Sequence, residues 1–369
     1  MTELTAPFEP DWVSPPGETI QDLVEEHGWT QAELAERLGY SAKHVNLLVN
    51  GRVPLSEEAA MRLERVLGST ASFWLTREAK FREHSARLDA EKSHADWVGW
   101  LDKLPVKELM TVGRIPKRRA TTNNKPAIVG DCLRFFGVAT PDQWEKHYVG
   151  MEAAFRRSRS DQADIGAISA WLRMGEQEAE QLSCPKYDKA RFLGALKEVR
   201  ELTTLEPEEF EPRMKESVRN AGVRLILVPS ISRAHVSGVA RWLGRFNPLI
   251  QLSLYGKAND KFWFTFFHEA AHILLHAGSK KSKESVFLDD PNSKPSDDPK
   301  EAEADRWAAG VLIPPEHSEK LRWLQKEADI VDFAKSINIH PGIVVGRLQH
   351  EGIVPWSRFN GLKVSYQLN

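Results

Sequence analysis

The chain has 369 residues, long enough for two or three domains, each with its own core. Apolar residues make up 41% and charged residues 28%, an ordinary globular composition that excludes collagen-like and disulfide-scaffold classes. Lys and Arg total 50 against 52 Asp and Glu, a net charge of -2, so any nucleic-acid surface must be a local patch.

Residues 1–15 lack periodicity, and "MTELTAPFEPDWVSPPGE" carries acids and prolines with no apolar signal region. No apolar run reaches the ~18 residues of a membrane span, so a cytoplasmic protein with no membrane partner is expected. Cys132 and Cys184 stand far apart in no C-x-x-C pattern, so they suggest neither a disulfide framework nor a cysteine zinc site.

From Pro16 to about Lys80 the chain reads as a compact helical block. Within it, "WTQAELAERLGYSAKHVNLLVNGRVP" has helix-turn-helix punctuation. Thr30 is an N-cap and Glu33 completes a capping box. Ala32, Leu34, Ala35 and Leu38 form an apolar face, and Gly39 ends the helix. Ser41 caps a second helix that turns Val45, Leu48 and Val49 inward. Ala42, Lys43, His44 and Asn46 then face solvent near its start, where a recognition helix meets base edges. Gln31, Ser41, Asn50 and Arg52 are placed for phosphates. A helical bundle with no DNA role is the plain alternative.

A charged helical connector, "FREHSARLDAEKSHADW", follows. Roughly 95–220 reads as a helical middle with apolar residues at three- and four-residue intervals. The cluster "RIPKRR" (Arg114, Lys117, Arg118, Arg119) reads as a solvated basic loop, with phosphate contacts as the alternative. After Gly222, "VRLILVPS", "AHVSGVARWL" and "NPLIQLSL" read as a small sheet. The last of these is the natural edge strand to hold an extended peptide by strand addition. Most of the twelve tryptophans sit in helical patterns and are expected in the core.

The stretch "KFWFTFFHEAAHILLH" carries the sharpest chemistry. His268 and His272 are one helical turn apart, so both imidazoles leave one face and converge on a single zinc ion. Glu269 then reaches a water at that ion as general base. His276 is excluded as third ligand, because eight residues of helix rise ~12 Å. The best downstream candidate is "KEAEADRWAAGVLIP". There Glu301 can bind zinc while Asp305, four residues on, orients a ligand histidine; Glu303 ranks second. His235 and Tyr255 are candidate transition-state donors. Between His276 and Glu301 the chain is polar and proline-broken, and a long surface loop is expected. "HPGIVVGRLQHEG" closes the pattern as a helix with Pro341 in its first turn.

Two resemblances follow from these motifs. "PPGETIQDLV…STASFWL" resembles the HigA branch of XRE-type antitoxins and repressors. Ala42 and Leu47 replace polar readers often seen there, which implies few base contacts. "FTFFHEAAHILLH" with "EAEADRWAAGVLIP" resembles the ImmA/IrrE family of zinc metallopeptidases, which act on DNA-binding repressors. That resemblance covers roughly 220–355 and implies His268, His272 and Glu301 as ligands and Glu269 as base.

The expected fold is α+β and predominantly α, divided as 1–80 (helix-turn-helix), 81–220 (connector and helical middle) and 221–369 (zincin-like domain with a small sheet). The expected function is a homodimeric regulator that binds palindromic double-stranded DNA. Its Zn2+ peptidase domain cleaves a regulatory protein, or the chain itself near residues 80–100, in response to a signal. The alternatives are a HigA-like antitoxin that binds DNA and a toxin, with the zinc fold as sensor or scaffold, and a peptidase merely tethered by its DNA module.

Overall fold

Short-range capping fixes the first helices. Thr30 accepts a hydrogen bond from the Glu33 N–H at 3.2 Å while the Glu33 carboxylate accepts from the Thr30 N–H at 2.7 Å, the expected capping box. Ser41, Ser56 and Thr70 each cap the next helix through the N–H three residues on. The helices are α1 (Pro16–Glu26), α2 (Gln31–Leu38), α3 (Ala42–Val49), α4 (Glu57–Leu67) and α5 (Ala71–Asp96). The computed structural model describes residues 14–148, 164–244, 246–253, 258–276, 287–289 and 298–366.

Helices continue as α6 (Val106–Thr111), α7 (Lys125–Phe136), α8 (141–148), α9 (Ile165–Glu180), α10 (Lys189–Glu201) and α11 (Pro207–Asn220). Strands β1 (Arg224–Leu227), β2 (Gly238–Trp242) and β3 (Pro248–Leu252) precede α12 (Asn259–Leu275). Beyond them come β4 (Phe287–Asp289), α13 (Pro299–Leu312), α14 (Pro315–Ser318), α15 (Glu327–Ser336) and α16 (Pro341–His350). The fold is α+β and mostly α, as the patterning implies. None of the helices described is long and apolar enough to cross a membrane.

Chain contacts divide the molecule into two units, Met1–Val98 with Ala120–Gly130, and Gly99–Arg119 with Asp131–Asn369. Residue 80 falls inside α5, and residue 220 is the last of α11.

In the first unit, Ile20, Leu34, Leu38, Val45, Leu48, Leu63 and Trp74 form the core. Ala32 is exposed and adds nothing to the apolar face of α2, which Leu34, Ala35 and Leu38 supply. Gly39 adopts φ 68° at the α2 C-terminus, a left-handed conformation that favours glycine. Arg62 donates to the Leu38 carbonyl at 2.6 Å and closes the same helix end. Thr30→Ala should cost about 1 kcal/mol of this unit's stability, read as a lowered denaturation midpoint.

In the second unit the sheet order is β1-β3-β2-β4, with β1 parallel to β3 and β2 antiparallel to both its neighbours. The "NPLIQLSL" run is therefore not an edge. As β3 it is buried along its length and hydrogen-bonded on both sides, so its backbone has no row left for a peptide. β4 lies within the stretch read as loop and covers the outer side of β2.

The core of this unit packs α12 through Trp263, Phe266 and Phe267 against Phe210, Leu225, Ala240 and Ile250. Beneath the sheet, buried Arg241 pairs with Glu176 at 2.6 Å, and Arg173 reaches the same carboxylate at 2.9 Å. Burial pushes the Glu176 carboxyl up, but the two guanidinium groups outweigh it and hold it low. The "RIPKRR" cluster is partly committed too: Arg118 pairs with buried Asp131 at 2.8 Å and Arg114 with Glu178. Among the described residues, two tryptophans depart from the core expectation, Trp323 at 79% and Trp356 at 64% exposed.

Candidate metal centre and nucleic-acid interface

α12 is apolar almost all round, and the packing described above buries it. With eleven other residues of the helix buried, there is little reason for His268, Glu269 and His272 in the interior unless they are used. Their exposures are 4%, 0% and 2%. Helical periodicity puts the His268 and His272 rings on one side, with Nε2 atoms 3.0 Å apart. From α13, Glu301 brings Oε2 to 3.2 Å from His268 Nε2 and Oε1 to 3.5 Å from His272 Nε2.

These three residues form a group whose candidate ligand atoms all lie within 4.8 Å of one another. A tetrahedral ion with bonds of ~2.0–2.1 Å separates its ligands by about 3.3 Å. The donor set and its spacing fit zinc.

The neighbouring groups aim these donors. Asp305 Oδ1 lies 2.8 Å from His268 Nδ1, so that ring donates to the carboxylate from Nδ1 and turns its Nε2 lone pair inward. Burial pushes His272 down to about 4, so its ring is neutral near pH 7 and its lone pair is available. Burial works against the Glu301 carboxylate, yet without an ion its contacts with the His268 and His272 rings outweigh burial and hold it at about 2, ionised as a ligand must be.

His276 is not in the ligand group, in line with the helical rise argument. Its ring nevertheless meets His272, Nδ1 to Nδ1 at 2.9 Å, and its Nε2 lies 3.2 Å from Glu303. The sequence ranked Glu303 as a spare ligand; the structure places it at this outer histidine. Gly238, at the start of β2, is a residue to which the sequence pattern gave no role at the site. A Cβ there would lie 2.9 Å from Glu269 Oε1 and 2.6 Å from Thr265, so only glycine lets β2 pass this close to the carboxylate. A glycine opening a buried strand was the available signal. His235 is exposed with φ 47°. Tyr255 lies outside the described residues.

At the other site, α2 and α3 flank the turn at residues 39–41. Ala42, Lys43 and Asn46 are exposed on α3, and His44 is half-buried against Tyr40, ring centroids 4.7 Å apart. Arg52 is exposed after the helix and Gln31 is half-buried at the start of α2. Two expected phosphate contacts are otherwise engaged: Ser41 Oγ caps α3, and Asn50 donates back to the Asn46 carbonyl at 2.7 Å.

A capped helix-turn-helix and a two-histidine, one-glutamate centre on an H-E-x-x-H helix define the class: a DNA-binding module joined to a metallopeptidase-like domain. Residues 20–74 match the family model described as helix-turn-helix, and residues 226–348 match the one described as the IrrE N-terminal-like domain. The chain is thus a fusion of an XRE-type helix-turn-helix with an ImmA/IrrE-like domain. No curated protein and no solved structure matches it.

Proposed function

We propose that this chain is a DNA-binding transcriptional regulator whose ImmA/IrrE-like domain hydrolyses a peptide bond at a zinc centre held by His268, His272 and Glu301. The observation that carries the reading is the convergence of three donors from two helices, with buried Glu269 next to the first. Zinc held there supplies Lewis-acid polarisation of a carbonyl and lowers the pKa of water. Glu269 takes the proton of the attacking water and passes it to the departing amine. Asp305 holds His268 in the tautomer that faces the ion. Ala42, Lys43, His44 and Asn46 meet base edges, while Gln31 and Arg52 serve the backbone; Ser41 and Asn50 act on α3 itself, as its N-cap and at its C-terminal end. A homodimer presents two such helices to half-sites about 34 Å apart.

A separate protein is the favoured substrate. The stretch expected for self-cleavage is helical through Asp96 in α5, so its backbone would have to unwind before a bond in it could be cut.

Glu269→Gln tests the proposal in the full chain. The variant should keep its metal and its DNA affinity but cut a cognate repressor at least 100-fold more slowly, the lower range for losing a general base. Unchanged repression and unchanged signal response in cells would instead favour the antitoxin-like reading, in which the metal fold senses or scaffolds.

A further inference from the structure

We infer that His276 and Glu303 form an outer relay that orients the second metal-binding histidine, His272, and are positioning residues of the centre. The inference rests on the zinc reading above.

A neutral imidazole that gives one nitrogen to a metal carries its proton on the other, and that N–H needs an acceptor. For His268 the acceptor is Asp305. For His272, buried on α12, the group at Nδ1 is the His276 ring at 2.9 Å, its centroid 5.0 Å away. His276 is the residue that ends α12: its N–H donates to the His272 carbonyl at 3.2 Å, and its φ of -106° and ψ of 0° turn the ring back over the last turn. Its side chain is only 5% exposed.

Nδ1 of His276 accepts from His272 only if the proton of His276 sits on Nε2. Glu303, 3.2 Å from that Nε2, favours this tautomer by accepting from it. The chain of donors therefore runs from His272 Nδ1–H to His276 and from His276 Nε2–H to Glu303. α13 thus supplies alternate carboxylates with three duties: Glu301 at the metal, Asp305 directly behind His268, and Glu303 behind His272 through one intervening ring. The third His of the motif is too far up the helix to be a ligand, and this gives it a use.

The test is zinc affinity of the full-length protein, measured by competition with a chromophoric chelator, beside the visible spectrum of the cobalt form. His276→Phe keeps a ring but removes the acceptor. It should bind zinc 10- to 100-fold more weakly, the range for losing an outer partner of a metal ligand, and should shift the cobalt bands. His276→Gln, whose amide oxygen accepts from Nδ1–H, should recover most of the affinity. Glu303→Gln should show a smaller loss, since its carboxylate is 54% exposed. Melting of the metal-free proteins controls for packing, and the three variants should lie near wild type there. A His276→Phe protein with wild-type zinc affinity and an unchanged cobalt spectrum overturns the relay alone. Equal losses in His276→Phe and His276→Gln, tracking a lowered metal-free melting point, also overturn it by making the role one of packing. A wild-type chain that takes up no zinc overturns the metal reading itself, and the relay with it.

Discussion

Purified wild-type chain should carry about one zinc ion, and His268→Ala and Glu301→Ala should each carry close to none. Catalytic zinc sites use three protein ligands and an open position, so removing one leaves two donors and little affinity. Both substitutions act at the same cluster but from different helices, His268 on α12 and Glu301 on α13. Parallel loss therefore reports convergence, where loss in one alone would not. Elemental analysis by mass spectrometry decides it; variants that keep stoichiometric zinc would demote the cluster to buried core. Acidification adds a signed expectation for the metal-free protein. The Glu301 carboxyl is held at about 2 against an ordinary 4.5, so the unfolded chain takes up the proton first. Its contribution is fully present above about pH 4.5 and is lost as the pH falls towards 2. Loss of Glu301 should thus flatten the acid limb of the stability profile.

Trp263→Ala should produce the largest stability change in the second unit, about 3–5 kcal/mol. The indole is fully buried, packs against Phe210 at a centroid distance of 4.8 Å, and donates from Nε1 to the Tyr366 hydroxyl at 3.0 Å. Alanine removes the ring, opens a cavity and takes one of its hydrogen-bond partners from the buried Tyr366 hydroxyl. The residue also sits five positions before His268 on the same helix, so the damage reaches the site through α12. Chemical denaturation checks the effect. A loss below about 1 kcal/mol would mean that the neighbouring rings collapse into the space.

The features legible in the sequence are those set by neighbours in the chain. Thr30, Glu33 and Gly39 bound α2 through bonds spanning three or four residues, so the first unit could be read almost helix by helix. His268, His272, Glu301 and Asp305 are brought together with a ligand-like spacing because two helical periodicities each put a pair on one face. What escaped is non-local. Strand order depends on which backbones meet after the chain turns, so β3 looked like an edge and is central. β4 is three residues long inside a polar stretch, too short for alternation to register. The contact between His276 and Glu303 joins residues 27 apart whose helical faces alone do not predict a meeting. Arg200 is similar: it donates to the carbonyls of Val311, Leu312 and Ile337, ends of two distant helices that no pattern links to it.

The separation of the two ligand-bearing helices has a consequence for the polymer as a whole. His268 and Glu301 are 33 residues apart, so an ion bound by both closes a ring of that length in the chain. By loop-closure entropy such a ring would remove on the order of 3–4 kcal/mol from the unfolded ensemble if it behaved as a covalent cross-link. A single ion would then act as a removable staple, and a chelator as its release. Metal supply would set how long the second unit persists as a folded chain.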